Sequence, residues 1–390
     1  MPVVDLEHLG LDAGGHLLVE RALRAVPLGA TLTVHGRHPA LAIHLQAWCR
    51  RHGHQLDSGG AHPIIRKGSK DDDRWAGAVR AGSAAGVADR ADPCWGLAAR
   101  GALVESGGPP LDVTWVDRDQ VWADVAPRLF AAAQAAQWDP ATVVDWTQPD
   151  LAPRAAEDAL VQIMTYLIEN EQAALVIPAR LIGQLHPHFR EVMALLATQV
   201  ADEARHVDVF QRRALLHCTE LGVSGAGERA SLQSLLDEHD FTLASFLLSV
   251  LGEGTFVDLL RFLNRHAPEP ITAEITRLVA RDEARHVAFG VAHTAHVATR
   301  DPAFLSTLRA AVERRHDVLA DTAGLNTAVF DALVVLAAGS WSPAAITAGW
   351  QAVQDMVTAM DEGRRRRLAF IGFPDDEAAA ISALHTRTFM

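Results

Sequence analysis

From residue 155 almost to the end of the chain, apolar residues return every three or four positions, the spacing of one buried helical face. The pattern predicts helices over 155–177, 189–216, 239–265 and 271–298, then three or more between 302 and 388. Pro187, Gly222, Gly225, Gly227, Pro268, Pro270 and Pro302 fall between these segments, and Pro178 closes the first, as helix breakers should. Upstream the period changes. Residues 3–6 and the alternating run at 30–36 read as strands, 16–26 and 39–52 as helices, and 62–68 as a last strand. Residues 1–68 therefore form a small β-α-β-α-β domain. Residues 69–118, with the cluster KDDDR and the turn ESGGPP, read as a linker. The helical domain occupies 119–390 and opens with a helix over 119–136. The predicted fold class is mainly α: a four-helix bundle with additional C-terminal helices, preceded by a small α/β domain.

Composition narrows this picture at a few points. Hydrophobic residues make up 49% of the chain, enough for a large core. No run approaches 18 consecutive apolar residues, so no membrane span is expected. The first ten residues carry acids and lack a basic start, so no secretory leader is expected either. Cys49, Cys94 and Cys218 lie far apart and form no CxxC pair, which disfavours a disulfide framework or a zinc-cysteine site and fits a cytoplasmic location. The formal net charge of -13 repels phosphate backbones, so nucleic acid is not an expected partner. The run Arg364 to Arg367 reads as a solvated helix face. Eight of the 19 histidines lie in residues 1–62 without regular ligand spacing, and are assigned to surface and packing.

The chemistry lies in a repeat. DEARHV occurs at 202–207 and again at 282–287, and each copy follows a helix with one glutamate on its apolar side. Glu171 stands 32 residues before Glu203, and Glu253 stands 30 before Glu283. Positions i and i+3 share a helical face, so Glu203 points with His206 and Glu283 with His286. Leu196, Gln199, Val200, Val207 and Phe210 surround the first pair; Leu160, Met164, Leu167, Ala174 and Leu175 share the face of Glu171. Glu253 lies with Phe246, Val250, Phe256, Val257 and Leu260, whereas Glu169 is off the buried stripe. One ExxH is ordinarily a surface ion pair. Four carboxylates on apolar stripes are costly unless paired, and with two imidazoles they call for two divalent cations. A glutamate from each of two helices plus Glu-x-x-His from each of two others is a known di-iron and di-manganese arrangement, and mixed imidazole and carboxylate ligation suits iron or manganese. Asp202 and Asp282 each precede a ligand histidine by one turn and are candidates to accept its second ring N–H across the helix pair. Arg205 and Arg285 would neutralise these aspartates. Gly252 and Gly254 flank Glu253 inside a helix, where each glycine costs about 1 kcal/mol relative to alanine. Room beside the metals, a local helix distortion and close helix packing are three readings of this pair.

On these residues, 135–300 resembles the ferritin-like di-iron carboxylate superfamily, and the DExRH form of both motifs is most similar to its oxygenase and oxidase branches. The resemblance implies that Glu203 and Glu283 bridge two metals, that Glu171 and Glu253 are terminal ligands, and that His206 and His286 each hold one metal. It implies two iron ions, or a Mn/Fe pair, with O2 as co-substrate. Separately, residues 1–68 resemble the TusA/SirA-like sulfur-carrier family through LGL at 9–11, VERALRAVPLGATLTV, HPALAIHLQAWCRRHGHQL and IIRKG. That family carries sulfur on a cysteine in a Cys-Pro-x-Pro turn. Here the turn is Asp12-Ala13-Gly14-Gly15, so the domain reads as degenerate, and Cys49 reads as packing.

The expected function is an O2-activating di-iron oxygenase or oxidase acting on a small organic substrate, by hydroxylation or N-oxygenation. Its partners would be that substrate, an electron donor and, in a homodimer, a second copy of the chain. A peroxide- or iron-handling protein of the rubrerythrin or ferritin kind is the alternative within metal chemistry, disfavoured by the chain length and the lack of a cysteine quartet. A non-enzymatic module with a closed structural metal site is the third. Ribonucleotide reduction is disfavoured because Tyr166, the only tyrosine, is rotated by about 140° from the face of Glu171.

Overall fold

A computed structural model describes residues 2–69, 75, 77–148, 154–320 and 327–386. The chain divides into two compact units, residues 1–85 with 94–110, and residues 86–93 with 111–390.

In the first unit β1 (Val3–Asp5), α1 (Gly15–Arg24), β2 (Thr31–His35), α2 (Leu41–Arg51), β3 (Gln55–Asp57) and β4 (Ile64–Arg66) follow in order. The sheet order is β1-β2-β4-β3, with β1 parallel to β2 and the other pairs antiparallel. One face of the sheet and the apolar stripes of both helices close a core that includes Val19, Leu23, Leu32, Val34, Leu45, Cys49 and Ile65. The sequence pattern predicts one strand fewer. Three residues, Gln55–Asp57, are too short to leave a period-two signal, and only pairing with β4 defines β3. A short ladder, β5 (Val79–Arg80) with β6 (Leu103–Val104), lies in a stretch that reads as linker.

The second unit is helical: α3 (Ala126–Ala135), α4 (Arg154–Ile182), α5 (Arg190–Ala214), α6 (Ala226–Leu236), α7 (Phe241–Arg265), α8 (Pro270–Arg300), α9 (Phe304–Ala320), α10 (Thr327–Ala338), α11 (Pro343–Ile371) and α12 (Asp375–Thr386). Antiparallel pairs α4/α5 and α7/α8 pack together, α5 meets α8, α10 lies on α4, and α11 runs along α7 and α8. Leu160, Ile163, Met164 and Leu167 on α4 are fully buried, each worth about 1.5–3 kcal/mol relative to exposure.

Three departures from the sequence pattern have local causes. First, α4 runs past Pro178 to Ile182, its last turn held by the buried Leu181. Second, α6 lies where the glycines suggest a break; Gly225 is its N-cap residue, and the N–H of Gly225 donates to Glu228 Oε2 at 2.7 Å. Third, the basic run is solvated only in part, at Arg365 and Arg366. Arg364 is buried, with only 1% of its surface exposed, and Arg367 is half-buried.

A buried ion network ties the ends of α4, α5 and α8. Arg213 donates two 2.8 Å hydrogen bonds to Glu157, and its Nε donates at 2.9 Å to Glu269, which also caps α8 at Thr272. Among the described residues α7 is long and apolar enough to cross a membrane, but 89% of its most apolar window is buried inside the protein. Helices α10 and α11 meet that test only as a pair bent by 117°.

Candidate metal centre

Each hairpin delivers three acidic or imidazole side chains to the bundle interior. Helix α4 supplies Glu171 and α5 supplies Glu203 with His206; α7 supplies Glu253 and α8 supplies Glu283 with His286. All six are buried. They form two overlapping groups, Glu171/Glu203/His206/Glu283 and Glu203/Glu253/Glu283/His286, each offering ligand atoms within 4.8 Å of one another. Glu203 and Glu283 belong to both. Glu203 Oε2 lies 3.1 Å from His206 Nδ1, and its Oε1 lies 3.1 Å from His286 Nδ1. Glu283 presents Oε1 at 3.2 Å to His206 Nδ1 and Oε2 at 3.4 Å to His286 Nδ1. Each of these two carboxylates thus faces both groups with one oxygen apiece, while Glu171 and Glu253 each serve one. The site lies among the four helices α4, α5, α7 and α8 of a helical bundle. Glu169 lies outside both groups.

The cluster fits two cations better than it fits itself. Oxygens of Glu171, Glu203, Glu253 and Glu283, and Nδ1 of His286, are buried without a hydrogen-bond partner. Six donors, four carboxylates and two imidazoles, converge there, a set suited to iron or manganese. Without metal, protons must do the work of cations. Burial, helped by the neighbouring Glu283, pushes Glu171 and Glu253 well above the usual carboxylate range. Burial would also raise Glu203, but His286 and His206 hold it well below that range. Burial opposes charge on the histidines, yet Glu171 lifts His206 and Glu203 with Glu283 lifts His286, both well above the ordinary imidazole value.

The ring orientation is set from outside, across the helix pair. His206 Nε2 faces Asp282 at 3.5 Å and His286 Nε2 faces Asp202 at 3.3 Å. With Nε2 directed at an aspartate, Nδ1 is the ring nitrogen that faces the carboxylates; it carries a proton in the metal-free protein and would offer its lone pair once a metal replaces that proton. Arg205 donates to Asp202 and, at 3.2 Å, to Asp282; Arg285 donates at 2.7 Å to Asp282 and at 3.3 Å to Asp202. All four expected outer residues are therefore brought together.

Sequence reasoning missed three further members. Trp138 Nε1 donates to Asp282 Oδ2 at 2.6 Å, and Gln137 Nε2 donates to Asp202 Oδ1 at 3.1 Å. Both sit in the loop after α3, which carries no ligand signature. Gln199 Nε2 donates to Glu253 Oε1 at 2.9 Å. It lies one turn before Glu203 on the buried stripe, and a polar residue there was the available signal.

A cavity of about 30 Å³ opens onto Glu171, Glu253 and Glu283 between apolar walls that include Ala174, Leu235, Leu248 and Phe256. Gly252 lines it. Gly254 does not: a Cβ there would lie 2.5 Å from the Arg367 guanidinium, away from the cavity. The glycine pair therefore has two roles, and the helix distortion is real, because α7 is a π-helix over Phe246–Glu253.

No protein-family model matches the chain, and no curated protein matches it. Solved structures of an R2-like ligand-binding oxidase are similar to it. A variant with an aerobically reconstituted Mn/Fe cofactor is 16% identical, covering 67% of this chain and 91% of that one, with a TM-score of 0.42. A variant with the same cofactor reconstituted anaerobically is 16% identical, covers 67% and 90%, and has a TM-score of 0.43. A form studied after photoconversion is 15% identical, covers 67% and 90%, and has a TM-score of 0.42. Likeness at this level carries no argument about chemistry, which rests on the side-chain geometry.

Proposed function

We propose that this chain is a dimetal oxidoreductase of the ferritin-like di-iron carboxylate superfamily, an oxygenase or oxidase that uses O2 on a small organic substrate. The observation that carries this reading is the pair of buried ligand groups sharing Glu203 and Glu283 beside an apolar cavity. Iron at both positions, or manganese with iron, suits the donor set. The redox-active pair, when bound, supplies electrons for reducing dioxygen.

The protein's own residues do the rest. Glu203 and Glu283 would hold the metals side by side, and Glu171 with His206 and Glu253 with His286 would complete each end. Asp202 and Asp282 hold the proton on each Nε2, keeping Nδ1 free for ligation. Ala174, Leu248 and Phe256 exclude water from the open side. The cavity of about 30 Å³ admits only a molecule of a few atoms as the walls stand. An organic substrate larger than this space would need its walls to move, among them Leu232 and Leu235 of α6. Hydroxylation or N-oxygenation is the finer reading, with an external electron donor and a cytoplasmic setting in keeping with three cysteines, Cys49, Cys94 and Cys218, that form no CxxC pair.

The test is anaerobic loading with Fe(II), measurement of about two metals per chain, and exposure to oxygen. A transient visible absorption is expected, followed by a mass change in one member of a substrate pool. Iron uptake continuing far beyond two per chain, with ferric mineral on the protein, would replace this reading with storage.

For the first unit we propose a degenerate TusA/SirA-like domain without sulfur chemistry. Its strand and helix order and the cysteine-free turn at Asp12 to Gly15 support this. Cys49 is buried and burial pushes its thiol up to about 11, which leaves little thiolate at neutral pH.

A further inference from the structure

We propose that Arg367, seconded by Arg364, is a positioning residue for Glu253, holding the junction at which the π segment of α7 returns to α spacing. The proposal rests on Glu253 being a metal ligand. In the π segment each N–H reaches back five residues, and the Gly254 N–H bonds Ser249 O in this way. Beyond it the α ladder reaches back only four. The change of step leaves one carbonyl near the junction without a backbone donor. Val250 O receives Arg367 Nε at 2.8 Å instead. The next carbonyl, Leu251 O, accepts from the Thr255 hydroxyl at 2.7 Å, and that hydroxyl oxygen accepts from Arg364 Nη1 at 3.1 Å. Val250 O and Leu251 O, three and two residues before Glu253, are thus tied to α11, the first directly and the second through Thr255.

The slot for Arg367 is built for it. A Cβ on Gly254 would stand 2.5 Å from Arg367 Cζ, and one on Gly363 would stand 3.2 Å from its Nη1. A side chain at 254 would force the guanidinium to shift, whereas one at 363 would press less closely, and first on Asp258 Oδ2 at 3.1 Å. Arg367 Nη2 is buried without a hydrogen-bond partner, and burial lowers the guanidinium to about 10. A fold retains so costly a cation where its remaining bond does something. Glu253 is the last residue of the π segment. A junction displaced by one residue would rotate it by about 100° around the helix, away from Glu203, Glu283 and His286.

The experiment compares wild type with Arg367→Gln, Arg367→Lys, Gly254→Ala and the control Arg366→Gln. Two quantities are read: Fe(II) or Mn(II) affinity under anaerobic conditions, and hydrogen exchange at amides 250–255 in the metal-free protein. Arg367→Gln should keep one metal at wild-type affinity and bind the second about tenfold or more weakly, as for other groups that orient ligands. Its amides 250–255 should exchange faster while those at 160–167 in α4 do not change. Arg367→Lys, which keeps the charge but not the planar fork, should fall between. Gly254→Ala displaces the guanidinium without removing it and should reproduce Arg367→Gln, so the proposal stays testable if that variant does not fold. Arg366→Gln, on an exposed neighbour, should match wild type in both readouts. Wild-type affinity and exchange in either Arg367→Gln or Gly254→Ala would overturn the proposal, as would an equal effect in Arg366→Gln. Absence of metal binding in the wild type would refute the metal centre, while the exchange data would still decide the clamp.

Discussion

The crossed pairing of aspartates and histidines makes an asymmetric prediction. Asp282 belongs to α8, yet it faces His206 of α5, and Asp202 of α5 faces His286 of α8. Asp282→Asn should therefore weaken the metal held with Glu171 and His206, not the one held by its own helix. Asp282 also accepts from Trp138, Arg285 and Arg205. An amide at this position keeps one acceptor oxygen but loses the charge that makes the imidazole basic. Groups of this kind change metal affinity by about 10- to 100-fold, or about 1.4–2.7 kcal/mol. The assay is anaerobic calorimetric titration of Asp282→Asn, Asp202→Asn, His206→Ala and His286→Ala, and of the double variants. Asp282→Asn should add little to His206→Ala, because the interaction it removes is already gone, but should be additive with His286→Ala. Asp202→Asn should show the reverse. If Asp282→Asn couples to His286 instead, or both aspartates affect both metals equally, the crossed assignment is wrong.

Three other outcomes follow from the same contacts. Glu203→Ala and Glu283→Ala should each lose more metal than Glu169→Ala by elemental analysis, since only the first two belong to both ligand groups. In the metal-free protein Glu171, Glu253, His206 and His286 bind protons more tightly folded than unfolded, so stability should fall as pH rises above 4.5 and again above 6.5, the ordinary values of these groups; the lowered Glu203 and Asp282 contribute stability above that carboxylate range that is lost at lower pH. Metal should reverse the neutral-pH trend by replacing those protons, so loaded and apo denaturation midpoints should diverge with increasing pH. Arg213→Met should cost about 3–5 kcal/mol in denaturant unfolding by stranding Glu157 and Glu269, whereas Glu157→Leu with Arg213→Met should recover part of it; equal losses would show that the network's charge balance is not what stabilises these helix ends.

The sequence alone picked out the six side chains that the fold gathers into one buried cluster, and the helices that carry them. A carboxylate on an apolar stripe is a local conflict that only a buried partner resolves, and Glu171, Glu203, Glu253 and Glu283 each show it within one helical turn of their neighbours. The duplicated DEARHV converted that conflict into two equivalent hairpins. Even the crossed aspartates were legible, because Asp202 and Asp282 sit at a fixed angle from their histidines. Tertiary structure decided what depends on parts of the chain far apart in sequence. Trp138 reaches Asp282 from 144 residues away, and no periodicity in its loop records that. Gly252 and Gly254 look alike in sequence but face a cavity and an arginine, because the π segment between Phe246 and Glu253 changes the angular step on which every face assignment relies. The basic run read as solvated because arginine is rarely buried unless it is paired. Arg364 and Arg367, three residues apart on one side of α11, are instead drawn inward by carbonyl and hydroxyl oxygens that exist only once α7 has folded against it.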